Sequence, residues 1–365
     1  MPPIRVMVVD DSIVVRKIVT DVLAADPAIE VVGTAVNGRV ALAKLDQLRP
    51  DLITMDIEMP EMDGIQTVAA IRKLGRRTPI IMFSTLTERG ATATLDALAA
   101  GADDYVTKPA NVGSITQSKD SVRDQLIPRI KVLTGRPAGP ALGHAPVAAA
   151  RAVVPPPAPR RGARKAPAVL VIGSSTGGPD ALTKVIPRLP RDFPLPVLVV
   201  QHMPPVFTKQ FAGRLDRLSA LSVVEAVAGT PIAPGTVHIA PGDFHLTVSP
   251  GAGVRRTVLD QAAPENFCRP AVDVLFRSAA AAYDGAVLAV VLTGMGSDGK
   301  LGAGRIREVG GTVVAQDQAT SVVWGMPGAV TQAGHADEVV PLDRVCDAIL
   351  RLSSSRPSTL VGARS

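Results

Sequence analysis

Hydrophobic and polar positions over the first 133 residues fall into alternating blocks. Short, nearly continuous apolar runs occur at Ile4–Val9, Ile29–Ala35, Leu52–Asp56, Ile80–Ser84 and Tyr105–Thr107. Runs this brief, flanked by polar and glycine-containing segments, predict strands buried on both faces. Between them, apolar residues recur at helical spacing over Val14–Ala25, Arg39–Leu48, Gly64–Leu74, Thr92–Ala100 and Ser114–Leu133. Alternation of that kind predicts an α/β domain built on a five-stranded, doubly wound parallel sheet.

A second region repeats the theme. Val169–Ile172, Val197–Gln201, Val287–Leu292 and Thr312–Gln316 read as parallel-type strands, with a helix opening near Pro179. Thr236–Leu259 is β-rich, and Pro250-Gly251-Ala252-Gly253 within it reads as a turn. The expectation is a three-layer α/β/α domain with a mostly parallel sheet and an antiparallel hairpin as its extension. Thr134–Pro167 breaks the pattern: it is rich in Pro, Ala, Gly and Arg and contains Pro155-Pro156-Pro157. Such composition cannot bury enough apolar surface to offset ordering, and reads as a semi-rigid spacer. The domain plan is therefore 1–133, a linker over 134–167, 168–352, and a flexible tail over 353–365.

Composition narrows the function. A chain of 365 residues with 46% hydrophobic and 20% charged residues can build two cored domains. Its net charge of +6 equals the six basic residues of the spacer (Arg136, Arg151, Arg160, Arg161, Arg164 and Lys165), which has no acidic residue. The rest of the chain is neutral, and aromatics are 3%, so a nucleic-acid partner is not indicated. Two cysteines, Cys268 and Cys346, rule out a disulfide framework and suit a reducing compartment. The segment MPPIRVMVVDD lacks a secretory-signal pattern, and no apolar stretch approaches the ~20 residues of a membrane span. A cytoplasmic protein with no membrane insertion is expected.

Chemistry-bearing residues cluster at predicted strand ends. Asp10 and Asp11 follow the first strand, Asp56 ends the third, Ser84 the fourth, and Lys108 follows the fifth. In a doubly wound sheet these ends share one rim. Converging carboxylates repel one another unless a cation joins them, and an all-oxygen set suits Mg²⁺. A carboxylate nucleophile, a divalent ion, an ammonium and a hydroxyl are what phosphoryl transfer onto an aspartate needs.

VVDDS (Val8–Ser12), MDIEMPEMDG (Met55–Gly64), Ser84 and YVTKP (Tyr105–Pro109) together resemble the response-regulator receiver domain, a flavodoxin-like fold. The resemblance implies that Asp56 accepts phosphate from a histidine kinase. It implies Mg²⁺ bound by Asp11, Asp56 and the backbone carbonyl of Glu58, with Asp10 assisting, Lys108 bridging the phosphoryl group, and Ser84 and Tyr105 as a switch pair.

In the second region, Gly173-Ser174-Ser175-Thr176-Gly177 follows a strand and precedes a helix. That spacing lets Ser175 sit on a tight strand-to-helix turn beside backbone N–H groups able to stabilise an oxyanion. His202 and Asp298 also follow strands, and a serine hydroxyl needs an imidazole oriented by a carboxylate. His238, His245 and His335 are rivals for the base, and Asp317 for the acid; His144 lies in the spacer. Gly294-x-Gly296-x-x-Gly299, with Asp317 downstream, also fits a dinucleotide-binding fingerprint and hence an oxidoreductase, although Asp298 would then repel a pyrophosphate. The 173–178 glycine loop lacks the Lys of a nucleotide-binding P-loop. A non-catalytic phospho-switch output protein is the other reading.

IGSSTGGP, QHMPP, HIAPGDFHL, NFCRPAVDVLF (Asn266–Phe276) and LTGMGSDG resemble the chemotaxis protein-glutamate methylesterase (CheB) family. The resemblance implies Ser175 as nucleophile, His202 as general base and Asp298 as its partner, with oxyanion N–H groups near Thr176 and Met295. It implies no cofactor for ester hydrolysis. It also implies glutamyl methyl esters and glutamines of methyl-accepting chemoreceptors as substrates. Ser297 and Cys268 depart from the Asn and His that members often carry. Cys268 has no matching base evident in the sequence, so it reads as a groove residue rather than a nucleophile.

Overall fold

A computed structural model describes residues 2–108, 115–136, 163–251 and 253–354. Two units, residues 1–152 and 153–365, divide within the expected spacer. Pro109, Ala252, His144, most of the spacer and most of the tail lie outside the described residues.

The first unit alternates β1 (Ile4–Val9), α1 (Ile13–Ala24), β2 (Ile29–Ala35), α2 (Gly38–Leu48), β3 (Leu52–Asp56), α3 (Gly64–Lys73), β4 (Ile80–Ser84), α4 (Glu88–Ala99), β5 (Asp104–Thr107) and α5 (Ile115–Leu133). The strands pair in parallel in the order β2-β1-β3-β4-β5. β3 and β4 are buried along their whole length, which is why they read as unbroken apolar runs. Helix starts are fixed by side-chain caps: Ser12, Asn37, Asp63 and Thr87 accept from the backbone of α1, α2, α3 and α4. The Thr87 cap begins α4 a turn before the apolar spacing does. Strand order reverses between β1 and β3, so their carboxyl ends open a crevice there.

The second unit contains β6 (Val169–Ser174), α6 (Gly178–Val185), β7 (Val197–Gln201), α7 (Phe207–Leu218), β8 (Ser222–Glu225), β9 (Thr236–Ile239), β10 (His245–Val248), β11 (Thr257–Asp260), α8 (Val272–Ala282), β12 (Val287–Val291), α9 (Lys300–Glu308), β13 (Thr312–Gln316), α10 (Met326–Gln332), β14 (Glu338–Val340) and α11 (Leu342–Ser354). Its main sheet is parallel throughout, in the order β14-β13-β12-β6-β7-β9-β8. Helices α8, α9 and α10 pack on one face, where Val171, Phe276, Val291, Ile306 and Met326 are fully buried. Helices α6, α7 and α11 pack together in the other layer.

Three features depart from the sequence expectation. The antiparallel pair β10–β11 forms its own two-stranded sheet rather than an extension of the main one. It sits on α8, where Val248 N donates to Ser278 Oγ. β8 and β14 are short edge strands that carry polar residues, so they lack an apolar run. Lys165, expected in the spacer, is tied to the second unit: its N–H donates to Gly310 O at 2.9 Å and its ammonium lies 2.9 Å from Asp284 Oδ2.

Candidate active site

At the crevice of the first unit, carboxylate oxygens of Asp10, Asp11 and Asp56 lie within 4.8 Å of one another. Asp10 and Asp56 are buried and Asp11 is exposed. Lys108 reaches in from the end of β5, with Nζ 2.7 Å from Asp56 Oδ2 and 3.5 Å from Asp10 Oδ2. Ile57 N donates to Asp56 Oδ1 at 2.7 Å, and Ser12 N to Asp10 Oδ1 at 2.8 Å.

Burial, then the charge of Asp56, pushes the Asp10 carboxyl up to about 6, against the pull of Lys108. Burial also raises Asp56, although the Lys108 ammonium and the Ile57 N–H offset part of it. Burial works against the Lys108 charge, but Asp56 and Asp10 outweigh it and hold the ammonium above its usual range. Three carboxylates, the buried Asp10 and Asp56 with raised proton affinity, and one ammonium among them fit a hard divalent cation, which would relieve the same repulsion.

The proposed switch residues sit differently. The Ser84 hydroxyl is buried and spent on α4: it accepts from Thr94 Oγ1 at 2.6 Å and donates to Gly90 O at 3.1 Å. Tyr105 is buried in β5. The Glu58 carboxylate faces outward onto Arg89 Nε at 3.2 Å.

In the second unit, β6 pairs with β7 so that Ser174 lies opposite Gln201, and His202 N donates to Ser174 O at 3.1 Å. Ser175 and His202 therefore leave adjacent strands side by side. The two neighbouring serines differ sharply. Ser174 Oγ donates to Gln201 Oε1 at 2.7 Å and is fully buried. The Ser175 hydroxyl is half-buried and forms no hydrogen bond among the described residues. Gln201 Nε2 also donates to Ser175 O at 3.0 Å and His202 O at 3.2 Å, so one side chain ties both strand ends together.

On the other side of Ser175 runs the loop after β12. Ser175 N donates to Thr293 O at 3.1 Å, and a methyl placed on Gly294 would fall 2.9 Å from Ser175 Cβ. Only a glycine lets this backbone pass, which brings the 293–295 segment and its peptide N–H groups beside the serine.

His202 Nε2 lies 2.8 Å from Asp298 Oδ2. Asp298 is 2% exposed, and it keeps its charge through an unusual set of donors. It accepts from Val272 N at 2.7 Å, Asp273 N at 2.9 Å, Gly299 N at 2.9 Å and Asn266 Nδ2 at 3.0 Å. Two of these N–H groups open α8, so the carboxylate also caps that helix. Burial would raise its pKa, but His202 and these donors hold it below the usual carboxylate range. The adjacent Asp273 receives Gly302 N at 2.6 Å and Asn266 Nδ2 at 3.1 Å, and burial pushes it up to about 6.

The remaining imidazole nitrogen, Nδ1, lies 3.5 Å from Cys268 Sγ. Cys268 thus does face a base, which the sequence alone did not reveal. A tight turn delivers it: Glu265 and Cys268 exchange backbone hydrogen bonds across Asn266 and Phe267, whose φ angles are 52° and 62°. Burial disfavours an imidazolium at His202, but Cys268 and Asp298 outweigh it and raise its pKa well above the usual range.

The rival histidines and acid are placed elsewhere. His245 Nδ1 accepts from Ala271 N, and His238 is fully buried in β9 without a hydrogen-bond partner among the described residues. Asp317 Oδ1 closes a local turn with Thr320. The 294–299 glycine motif lies against Ser175 and holds Asp298, which faces His202. Sequence reasoning missed Gln201, Asn266 and the α8 N–H groups. Asn266, Val272 and Asp273 do fall in the quoted NFCRPAVDVLF segment, but no spacing rule links a turn to a carboxylate across the sheet.

A family model described as CheB methylesterase matches residues 170–349, and one described as response regulator receiver domain matches residues 6–119. The chain is 63% identical over 365 residues to a protein-glutamate methylesterase/protein-glutamine glutaminase of a Nocardioides species, covering 98% of each chain. It is 47% identical to the protein of that name from Trichodesmium erythraeum, covering 96% of this chain and 99% of the relative. The crystal structure of the Thermotoga maritima CheB methylesterase catalytic domain superposes with a TM-score of 0.50 at 48% identity, covering 51% of this chain and 98% of that one.

Proposed function

The chain belongs to the CheB methylesterase family, with a response-regulator receiver domain in the same polypeptide, and from that premise we propose a phosphorylation-regulated serine hydrolase acting on chemoreceptors. It is a protein-glutamate methylesterase and protein-glutamine glutaminase of chemotaxis adaptation. The observation that carries the chemistry is the His202–Asp298 contact at 2.8 Å beside an uncommitted Ser175 hydroxyl.

Ser175 Oγ attacks the carbonyl carbon of a glutamyl methyl ester while His202 Nδ1 takes its proton. N–H groups near Thr176 and Met295 receive the oxyanion. The tetrahedral intermediate collapses with cleavage of the carbon–methoxide bond, and the imidazolium protonates the leaving group to methanol. Water, deprotonated by the same nitrogen, then frees glutamate and Ser175. With a glutamine side chain, ammonia leaves instead. Asp298 holds the ring and stabilises its charged form.

Asp56 is the phosphate acceptor, with a histidine kinase as donor. Asp10, Asp11 and Asp56, joined by the Glu58 carbonyl, would hold Mg²⁺. When bound, the ion neutralises charge on phosphoryl oxygens, a task that Lys108 shares. Ser84 and Tyr105 form the switch pair and respond by repacking. The domains run over 1–133 and 168–352. No described helix is long and apolar enough to cross a membrane, and the proposed location is the cytoplasm.

Methanol release from membranes carrying methylated chemoreceptors, with and without an acyl-phosphate donor, tests this reading. Hydrolysis stimulated by the donor is expected. Phosphate uptake with no methanol release would leave a non-catalytic output protein.

A further inference from the structure

We propose that Cys268 is a reactive thiol held on the His202 base, and that its two-electron oxidation by a hydroperoxide switches ester hydrolysis off. The inference rests on the hydrolase reading only for its consequence. The thiol's reactivity follows from geometry alone.

His202 has two ring nitrogens. With the Asp298 carboxylate accepting from Nε2–H at 2.8 Å, the neutral ring carries its lone pair on Nδ1. The Cys268 sulfur lies 3.5 Å from that lone pair, within hydrogen-bond range for sulfur. The same nitrogen must accept the Ser175 proton, so thiol and alcohol compete for one base. Passing the S–H proton to Nδ1 leaves a thiolate beside an imidazolium, and Asp298 is already in place to stabilise that cation. Cys268, His202 and Asp298 are linked in series through the two ring nitrogens, a connection the Ser175 hydroxyl does not make among the described residues.

Access is provided as well. Cys268 is part-exposed, whereas the other cysteine, Cys346, is 1% exposed. Its neighbour Phe267 is 82% exposed, at the tip of the turn that fixes the sulfur in place. An aromatic residue at φ 62° is strained, so the turn is held by its surroundings and not by local preference.

The step balances without further reagents. The thiolate attacks the distal oxygen of R–O–OH, forming an S–O bond and breaking the O–O bond. Sulfur loses two electrons, and the peroxide is reduced to an alkoxide, which the His202 imidazolium protonates. The sulfenic acid then stands at Nδ1 and keeps Ser175 from it. A low-molecular-weight thiol displaces water to give a mixed disulfide, and a second thiol restores the cysteine.

The test uses the reduced full-length protein. Hydrogen peroxide with dimedone trapping should label Cys268 and spare Cys346, as read by peptide mass spectrometry. Methanol release should fall in step with the label, and dithiothreitol should restore it in samples without dimedone. Alkylation of Cys268 by iodoacetamide at neutral pH should slow by at least about tenfold in His202→Gln. Whatever hydrolysis Cys268→Ala retains should ignore peroxide. If that variant is inactive, the His202→Gln alkylation rate still decides the matter. Equal labelling of the two cysteines, an alkylation rate indifferent to His202, or inactivation with Cys268 unmodified would each overturn the inference. Methanol release with an inert Cys268 would sink this inference alone. Fast, His202-dependent alkylation without any methanol release would instead sink the hydrolase reading and the switch with it.

Discussion

Asp298 Oδ2 takes the Nε2 side of the His202 ring at 2.8 Å, which leaves Nδ1, facing Cys268 Sγ at 3.5 Å, as the nitrogen proposed to serve Ser175. The ring's orientation is thus set by a carboxylate that is itself fixed by three backbone N–H groups and Asn266.

Asp298→Asn should therefore cut methanol release by about 10³–10⁴-fold, because an amide can no longer fix the tautomer or stabilise the imidazolium. An amide NH₂ would also face the N–H groups of α8, so the melting temperature should fall. Asn266→Ala, which removes one donor and leaves the charge, should cost only about tenfold. Equal losses in the two variants would mean that Asp298 acts structurally alone.

The close passage at Gly294 leads to a second expectation. Gly294→Ala puts a methyl 3.0 Å from Ser175 N and 2.9 Å from its Cβ. The methyl also meets Met326 Sδ, which can swing aside, but the two serine atoms cannot, so the serine or the loop against it must shift. A displacement of a few tenths of an ångström to one ångström costs up to about 100-fold in rate. The variant should fold, as judged by circular dichroism, and lose kcat more than KM. Unimpaired turnover would mean that the loop does not set the serine.

The pH dependence has a definite sign. The His202 pKa is raised by Cys268 and Asp298 against burial, so the imidazole stays protonated above its ordinary value of 6.5. Protonation removes the Nδ1 lone pair. The acid limb of kcat/KM should accordingly lie above pH 6.5 and move to lower pH in Cys268→Ala, because one of the two supports is gone. A limb at or below 6.5 in the unaltered protein contradicts this environment.

In the receiver crevice, buried Asp10 and Asp56 share Lys108, and the raised carboxyl pKa values show incomplete compensation. Removing divalent metal with EDTA should abolish acyl-phosphate uptake, and Mg²⁺ should restore it. Asp56→Asn should accept no phosphate under any condition. Phosphoprotein gels separate these outcomes, and retained labelling of Asp56→Asn would move the acceptor elsewhere.

What the sequence made legible follows from burial. β1, β3, β4, β6, β7, β12 and β13 sit inside parallel sheets, so both faces are apolar and each reads as a plain run. Edge strands β8 and β14 need apolar residues on one face at most and leave little trace. In each unit the strand ends carry the chemistry-bearing residues, Asp10, Asp56 and Lys108 in the first and Ser175, His202 and Asp298 in the second, which is why these could be read as candidates from the sequence. Contacts made by turns could not. Cys268 meets His202 only because a two-residue turn aims it, and the chain separation of 66 residues hides that pairing. Ser84 was legible as a strand end, but the direction of its hydroxyl depends on Thr94, inside the helix that follows.

His238 offers a final, independent expectation. Its ring is fully buried on β9, the strand that pairs with β7 and β8, and neither nitrogen has a hydrogen-bond partner among the described residues. Burial lowers its pKa in the folded state, so the neutral form is the one the fold accepts. In the unfolded chain the imidazole titrates near its ordinary 6.5. Above that pH both states are neutral and His238 costs nothing through protonation. Below it the unfolded state binds a proton that the folded state refuses, so stability falls as pH drops. His238→Leu keeps a similar volume and removes both the titration and two unpaired polar atoms. The variant should be at least as stable at pH 7.5, and its advantage in melting temperature should widen as pH falls from 6.5 to 5. A difference that stays constant over that interval would mean that His238 finds a proton partner in the fold.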